Sequence, residues 1–279
     1  MYRAEFIADN GKTFRFGIDH DIAFDVSPLS GVDVILSTSQ GFRQIGESVQ
    51  GASVNGVRRT ITGKCLTSES ANALLSFLPV FTSGKLVING DLWCPATVSK
   101  TPTVSFRKNG SIPFTMQIFC ESPFWYSSQR QHVSLNEIKG LFKFPANYGN
   151  PHKFGERLTG SSVNVRNDGD VSAPFELTLK GIGSATNYGI VNTMTGESLI
   201  FEDTLNDGDT VRFFREGGKI RAEKTSGGET FGALAYVSDS SSLFDLHAGD
   251  NLVRVTAEDG GAFVTAFIDF NSAYMGVVV

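Results

Sequence analysis

Repeated Asn-Gly and Asp-Gly dipeptides between short apolar stretches constrain this chain more than any other feature of its sequence. Asn-Gly stands at positions 10–11, 55–56, 89–90 and 109–110, and Asp-Gly at positions 168–169, 207–208 and 259–260. Both central residues of a two-residue hairpin turn need positive φ, which Asn, Asp and Gly adopt at low cost. The dipeptides therefore predict a succession of β-hairpins.

The stretches between these turns alternate as strands do. In Ile112–Cys120 every second residue is apolar, so a slip of one residue would turn the whole apolar set to the opposite face. Val57–Cys65 is a second strand of the first half. The strands of the second half are predicted at Val163–Arg166, Phe175–Lys180, Gly189–Asn192, Leu199–Glu202, Val211–Phe214, Lys219–Ala222, Leu252–Ala257 and Phe263–Phe270.

One segment of the first half has the periodicity of a helix. Between Ser70 and Leu78 the apolar residues recur at spacings of three and four, which places them on one helix face. Thr67 or Ser68 would cap its start, and Pro79 would end it because the residue before a proline avoids helical angles. A lone helix must bury its apolar face against a sheet.

The predicted fold class is mainly β, in two domains. Residues 1–130 are expected to form an N-terminal β-sandwich-like domain with one α-helix and an extended arm. A polar, turn-rich stretch predicts a connector over residues 131–159, within which Leu141–Phe144 has the pattern of a pairing strand. Residues 160–279 are expected to form a C-terminal β-sandwich. The apolar end, Met275–Val279, is expected to dock back on the folded chain, with the N-terminal domain as one candidate surface.

Composition and charge exclude several classes of protein. A net charge of −5 argues against a nucleic-acid binder, which needs a basic face to neutralise phosphates. No stretch approaches the roughly 20 apolar residues that span a membrane. The first residues lack the apolar core of a signal peptide, so folding in the cytoplasm is expected. Charged residues make up only 19% of the chain, which indicates surface that faces other proteins.

The cysteines and histidines predict neither a disulfide framework nor a metal site. Cys65, Cys94 and Cys120 are far apart in the sequence and form no C-x-x-C pair, so we expect buried reduced thiols that act as small apolar residues. No histidine has a second one close by in the sequence, and the four are His20, His132, His152 and His247. Solvated or capping roles are therefore expected of them, and no cofactor is predicted.

No motif of an enzyme is present in the sequence. There is no G-x-S-x-G nucleophile turn and no phosphate-binding loop. Acidic residues cluster at Glu202–Asp203, Asp207, Asp209 and Glu258–Asp259. Each cluster is interpreted as turn chemistry, in which Asp binds the local backbone, rather than as a catalytic acid and base. The chain is therefore predicted not to be an enzyme, with no catalytic residues.

Aromatic residues leave a binding function open. Exposed rings of a β-sandwich can hold sugar rings, whereas buried rings fill the core, and the latter interpretation is favoured here. The rings concerned are Trp93, Trp125, Tyr188, Tyr236 and Tyr274. The alternative function is therefore a module that binds a cell-surface saccharide.

A polar, glycine-punctuated segment, Gln40–Glu47, interrupts the strands between Val32–Leu36 and Val57–Cys65. A mobile surface loop and an arm that reaches a neighbouring subunit explain it equally well, because long excursions from a sheet are often functional. The residues of the candidate arm are Gln40, Phe42, Arg43, Gln44 and Ile45.

The strand that ends at Cys120 is followed by a proline and three aromatic residues, in the run Ser122, Pro123, Phe124, Trp125 and Tyr126. This run resembles the motif of Asp or Ser, Pro, Phe or Tyr, and Trp that closes the N-terminal domain of siphophage distal tail proteins. Further segments are similar to that family in the expected order over most of the chain. They are Gln44–Val49, Val57–Gly63, Gly84–Ile88, Asn167–Asp170, Ala173–Leu177, Gly181, Asn192–Glu197 and Leu246–Asn251.

This resemblance implies a structural virion protein of the tail tip, assembled in the host cytoplasm. Members of the family form a homohexameric ring that contacts the tail tube protein on one face and the tail-tip protein on the other. The tape-measure protein and DNA pass through the ring. The resemblance also implies that the C-terminal sandwich is galectin-like. We add the hypothesis that the segment Ser39–Asn55 is the arm that grips the adjacent protomer. Charge and hydropathy, as above, predict neither sequence-specific nucleic-acid binding nor membrane insertion.

Overall fold

The computed structural model describes residues 2–79, 81–140, 155–158 and 160–278, with the backbone alone for 137–140 and 155–158. The chain divides into two compact units, one of Met1–Gln129 with Ala273–Val279 and one of Arg130–Ser272. The strand Gln131–Ser134 of the second unit therefore lies within residues 131–159, the stretch that the sequence assigned to a connector. Leu141–Phe144 and His152 lie outside the described residues.

The first part of the chain holds ten strands and the α-helix. They are β1 Ala4–Ala8, β2 Thr13–Phe16, β3 Ile22–Ser27, β4 Val34–Ser39, β5 Ser48–Val54, β6 Val57–Cys65, α1 Ser68–Phe77, β7 Ser83–Ile88, β8 Leu92–Val104, β9 Ile112–Cys120 and β10 Trp125–Ser127.

The remaining strands follow in chain order. They are β11 Gln131–Ser134, β12 Glu137–Gly140, β13 Gly155–Leu158, β14 Val163–Asn167, β15 Phe175–Gly181, β16 Ala185–Asn192, β17 Ser198–Leu205, β18 Thr210–Glu216, β19 Lys219–Ser226, β20 Glu229–Gly232, β21 Gly249–Asp259, β22 Val264–Phe270 and β23 Ala273–Tyr274. Single 3₁₀ turns occur at Ile18–His20, Leu234–Tyr236 and Gly261–Phe263.

The prediction of a mainly β chain is confirmed, since 58% of the residues lie in strands and 8% in helices. The predicted helix is confirmed as α1, and Thr67 caps it by accepting a hydrogen bond from the Ser70 amide at 3.1 Å. Ala71 and Leu74 are buried on its inner face, whereas Leu75 is 41% exposed. The apolar face of the helix is thus narrower than its sequence suggests.

One antiparallel sheet, ordered β2-β1-β7-β8-β9-β6-β3, encloses the core of the first unit. The ring of Phe16 on β2 lies 5.5 Å from that of Phe24 on β3 and 6.5 Å from that of Phe114 on β9. Because β2 and β3 are the two end strands, the sheet must curl until its ends meet. An isolated bridge between Gly17 and Ile22 joins them.

The second unit has two antiparallel sheets. One follows the order β11-β22-β15-β18-β19-β20 and the other the order β14-β21-β16-β17. In both, alternate residues are buried, as in Phe175–Gly181 of the first sheet. Lys224 on β19 binds Asp203 on β17, so the two sheets pack face to face as a sandwich.

The Asn-Gly and Asp-Gly dipeptides predict the local backbone conformation better than they predict which strands pair. Asn89–Gly90 and Asn109–Gly110 have positive φ at both residues and close hairpins, as predicted. Asn55–Gly56 does not, because β5 and β6 pair with other strands. A Cβ on Gly56 would lie 2.7 Å from the carbonyl oxygen of Cys120, so this glycine permits close backbone approach.

The hairpins predicted at the three Asp-Gly dipeptides are wrong. Asp207–Gly208 and Asp259–Gly260 carry the chain from one sheet of the sandwich to the other, although each glycine has the expected positive φ. Asp168–Gly169 also joins strands of different sheets. Two hairpins of this unit turn instead at the glycine pairs Gly217–Gly218 and Gly227–Gly228, all with positive φ.

Candidate interaction site: an exposed arm and its anchored base

The segment Val34–Val54 forms a two-stranded hairpin, here called the arm. Its strands, β4 and β5, pair with each other and with no other strand of the described chain. Every residue of both strands is exposed. The sequence predicted only a first strand here, at Val32–Leu36, and the second strand was missed because Ser48–Val54 contains glycine and serine among its apolar residues.

The two faces of the arm differ in polarity. Cross-strand partners share a face, and the pairs Val34 with Val54, Leu36 with Ala52, and Thr38 with Val49 make one face apolar. The opposite face carries Ser37, Ser39, Ser48 and Ser53, with Ile35 as its one large apolar side chain. An exposed hairpin with one apolar face has the composition of an interaction surface.

The tip of the arm is an ordered turn that presents two apolar side chains. Phe42 is 93% exposed and Ile45 is completely exposed. Gln44 holds the turn: its side-chain oxygen accepts from the Gly41 amide at 2.8 Å, and its backbone oxygen accepts from the Gln40 side chain at 3.1 Å. The five predicted arm residues thus lie together at the tip.

Arg43 completes the tip. Its guanidinium lies 5.3 Å from the centre of the Phe42 ring, and its φ is +60°, a left-handed backbone that is uncommon for a residue with a side chain. The turn therefore points a cation and an aromatic ring outward side by side.

The base of the arm is anchored by a buried arginine. The guanidinium of Arg59 on β6 donates to the carbonyl of Pro123 at 2.8 Å and to the carbonyl of Pro28, just before the arm. It also lies 4.5 Å from the Trp125 ring centre, within cation–π range. The Trp125 indole N–H donates in turn to the carbonyl of Leu29 at 2.9 Å.

The C-terminal segment joins the same base. Strand β23 pairs with β10 and belongs to the sheet of the first unit. The amide of Val277 donates to the carbonyl of Leu29 at 3.1 Å. A Cβ on Gly276 would lie 2.4 Å from that of Ser30, so only glycine fits there without a shift.

The run of residues from Ser122 to Tyr126 therefore contacts the base of the arm. The Ser122 hydroxyl lies 2.8 Å from that of Tyr126 and accepts from the amide of Phe124, which is half-buried, whereas Trp125 is fully buried. The tip of the arm is separated from this run by the length of the hairpin, about 20 Å for its six-residue strand. The structure does not bring the two predicted sets of residues together.

The acidic clusters form structural contacts. Asp209 accepts from the Asn206 amide at 3.0 Å and Asp259 from the Gly260 amide at 2.8 Å, as expected of turn residues. The prediction is wrong for Glu202–Asp203, which lies within β17, and for Glu258, which lies within β21. Asp203 instead binds Lys224 at 2.6 Å, and that lysine is only 6% exposed.

The group around Lys224 is a closed network of charges. Lys224 also donates to the carbonyl of Thr204 at 2.6 Å and lies 3.6 Å from Asp209. Burial, followed by the nearby charge of Asp203, raises the pKa of Tyr188 well above its usual range. Two sheets are tied together here, and the carboxylates face a cation rather than an open cleft.

Among the residues described, no three His, Cys, Asp or Glu side chains are grouped so that they could hold a metal ion. His132 lies 2.9 Å from Asp269 and His247 lies 2.8 Å from Glu197, both as exposed pairs. The same part of the chain has no helix of the length and apolar character required to cross a membrane.

The aromatic residues considered for saccharide binding do not form a patch. Trp125 and Tyr188 are fully buried, and Tyr236 is 40% exposed. Trp93 and Tyr274 belong to the first unit. The interpretation of these rings as core residues is confirmed for Trp125 and Tyr188.

Comparison with known proteins identifies the architecture. No family model matches the sequence, and no curated protein matches it. The crystal structure of the Dit protein of phage SPP1, described as a paradigm of the hub adsorption apparatus in phages that infect Gram-positive bacteria, has a TM-score of 0.63. The two chains are 11% identical, and the match covers 98% of this chain and 99% of that one. The chain has the Dit fold.

Two baseplate structures of phage P2 are also similar to this chain. Its baseplate in the activated conformation with Ca has a TM-score of 0.49 at 11% identity, covering 99% of both chains. The corresponding structure with Sr has a TM-score of 0.46 at 10% identity, covering 97% of this chain and 98% of that one. The assignment of the Dit fold depends on the SPP1 structure.

Two residues that organise this Dit fold were missed by sequence reasoning. Arg59 and Lys224 are buried cations at positions where a strand turns its side chains inward. The signal for Arg59 was present, since it precedes Ile61 and Cys65 on the buried side of β6. A charge in an otherwise apolar alternation marks a residue with a specific partner.

Proposed function

We propose that the chain is a structural subunit of a siphovirus tail, the distal tail protein that forms the baseplate hub between the tail tube and the tail tip. A match of the fold to SPP1 Dit over nearly the whole chain supports this function. Because one fold can host several functions, the proposal also depends on a specific site. The observation that carries it is the arm, with every strand residue exposed.

An exposed two-stranded hairpin needs a partner. Such a hairpin is marginally stable in water by itself, because one pair of strands buries too little apolar surface to offset its lost conformational entropy. The apolar face centred on Val34 and Leu36, and the tip residues Phe42 and Ile45, would remain in water in a single copy. The arm therefore fits a surface of another molecule.

A second copy of the chain is the partner that we propose for the arm. An arm that grips a different surface of its neighbour makes a heterologous contact, which closes into a ring when the rotation between copies permits. The proposed assembly is a homohexamer whose lumen passes the tape-measure protein and DNA.

The two units have separate roles in this proposal. The first unit, Met1–Gln129 with Ala273–Val279, forms the ring and contacts the tail tube protein and the tail-tip protein. The second unit, Arg130–Ser272, is a galectin-like sandwich that supplies further protein contacts. Assembly takes place in the host cytoplasm, and the mature location is the virion tail.

Negative-stain electron microscopy of the purified chain tests this function. Rings with a central channel are expected. When a tail tube protein from the same phage is added, it should stack onto one face of the ring. Particles of a single copy at every concentration, with no binding to the tube, would overturn the proposal.

Arm variants show whether the contact is the one proposed. The double substitution Phe42→Ser with Ile45→Ser should leave a folded protein, because both side chains are exposed, and should abolish the rings. Ser37→Ala on the polar face of the same hairpin is the matched control and should leave the rings intact. Rings in the double variant would show that the arm tip does not join the copies.

A further inference from the structure

Two of the three buried cysteines are in contact. The sulfur of Cys94 on β8 lies 3.4 Å from that of Cys120 on β9, and neither side chain is exposed. Cys65 is also fully buried. All three are free thiols in this structure.

The strand register places the pair on one face of the sheet. The observed pairs Thr97 with Phe119 and Val98 with Ile118 extend to place Ala96 opposite Cys120. Cys94 is therefore a diagonal neighbour of Cys120, two residues along the strand and on the same buried face. A disulfide bond would require the sulfurs to approach by roughly 1.4 Å, since a bonded pair is about 2.05 Å apart.

A buried cation is a diagonal neighbour of Cys120 on the adjacent strand, because Val57 pairs with Cys120 and Arg59 is two residues further along β6. Arg59 is 1% exposed, it forms no ion pair with a carboxylate of the described chain, and its Nε has no hydrogen-bond partner. The hydrogen bond from the Cys94 thiol lowers the pKa of Cys120, and the Arg59 guanidinium lowers it further against the effect of burial. Burial raises the pKa of Cys94. A buried guanidinium that has no carboxylate partner favours an anion next to it, and the thiolate of Cys120 would supply one.

We propose that Cys94 and Cys120 are an oxidisable dithiol, a site of covalent modification in the core that a small two-electron oxidant such as hydrogen peroxide converts to a disulfide. The Cys120 thiolate attacks one peroxide oxygen, which breaks the O–O bond, forms a sulfenic acid and releases hydroxide. The Cys94 sulfur then attacks the Cys120 sulfur and displaces its hydroxyl group, while the proton of Cys94 leaves with that group as water. In sum, two thiols are oxidised and one peroxide is reduced to two waters.

The bond would link two strands beneath the base of the arm. Trp125, whose ring makes the cation–π contact with Arg59, packs in the same core. Thiols of this kind stay reduced in a reducing cytoplasm and oxidise in surroundings such as those outside a cell. The inference stands on the contact between the sulfurs and does not depend on the proposed function.

Mass spectrometry of the full-length protein tests the proposal. The protein is treated with hydrogen peroxide, quenched, unfolded and alkylated. The untreated protein should gain three alkyl groups, whereas the oxidised protein should lose the mass of two hydrogen atoms and gain only one alkyl group. Peptide mapping should find Cys94 joined to Cys120. The exposed Met194 reports the oxidant dose through its sulfoxide.

Two results would overturn the proposal. The first is a sample in which Met194 is oxidised while all three cysteines are still alkylated. The second is oxygen addition to the cysteines, or a cross-link that includes Cys65, in place of the bond between Cys94 and Cys120. The variant Cys65→Ala should retain the cross-link and Cys120→Ala should lose it; if Cys120→Ala does not fold, the peptide map of the wild type decides.

Discussion

Two hairpins of the first unit have the same topology but opposite environments. The β8–β9 hairpin is paired on both sides, by β7 and β6, and buries Phe114, Met116 and Ile118. The arm has two unpaired edges and no buried residue in either strand. The first hairpin is therefore stabilised by its own chain, whereas the arm has no such contacts within the described chain, and under the proposed function it would obtain them from a second copy.

The largest difference in stability is expected between alanine substitutions of two aromatic residues, one buried in the core and one exposed at the arm tip. Trp125→Ala removes a fully buried ring that holds the Arg59 cation and the Leu29 carbonyl, and should lower the free energy of unfolding by about 3–5 kcal/mol. Phe42→Ala at the exposed arm tip should change it by less than about 0.5 kcal/mol. Urea denaturation of both variants measures this, and equal losses of unfolding free energy would contradict the difference between the buried core and the exposed arm.

A smaller difference in stability is expected between alanine substitutions of two glycines that share the same positive-φ backbone conformation. Gly90, in the β7–β8 turn, has a φ of +78°, and Gly46, in the arm, has a φ of +85°. An added Cβ meets no atom within 4 Å at either position, so alanine acts only through backbone strain. Gly90→Ala should cost about 1 kcal/mol of unfolding free energy. Gly46→Ala should leave the thermal midpoint of the single chain unchanged, because the arm strands pair with no strand of the sheet.

The smallest effect on stability is expected for the carboxyl group of Glu176. Burial raises the pKa of Glu176, but hydrogen bonds from Arg212 and Arg130 outweigh this and bring it below its usual value. A carboxyl group with a lowered pKa stabilises the fold above the unfolded-state pKa of about 4.3, and the contribution is lost as the pH falls through the folded-state pKa.

Glu176→Gln should therefore destabilise the protein near neutral pH, by under about 1 kcal/mol because the pair is partly exposed, and the difference should disappear in acid. Glu47→Gln in the arm is the control, since Glu47 forms no ion pair among the described residues, and should have no effect at either pH. Thermal unfolding followed across pH checks both, and a loss for Glu176→Gln that persists in acid would show that the charge pairs are not its cause.

The sequence predicted those elements whose pattern is set by near neighbours. The bounds of β9 followed from the alternation of its apolar residues, and α1 followed from apolar residues spaced three and four apart. The bounds of β6 were also predicted. The Asp-Gly dipeptides predicted positive φ at Gly208 and Gly260 but not the crossovers there, because pairing depends on distant strands. Local chemistry therefore specifies a turn, and tertiary packing decides what the turn connects.

The candidate site was predictable to a lesser degree. The polar stretch around Gln44 indicated an excursion from the sheet, but its folding into a hairpin with one apolar face depends on the cross-strand pairs of Val34–Ser39 with Ser48–Val54. The anchoring of the arm through Arg59 depends on three segments far apart in the chain. Neither the hairpin nor its anchoring can be predicted from a local sequence pattern.

The molar mass in solution tests the central claim most directly. Light scattering of the wild type should give about 181 kDa, six copies of a 30.1 kDa chain, and the variant with Phe42→Ser and Ile45→Ser should give one copy with the same secondary structure. The same mass for both proteins, or a single copy of the wild type at every concentration, would contradict the account of the arm.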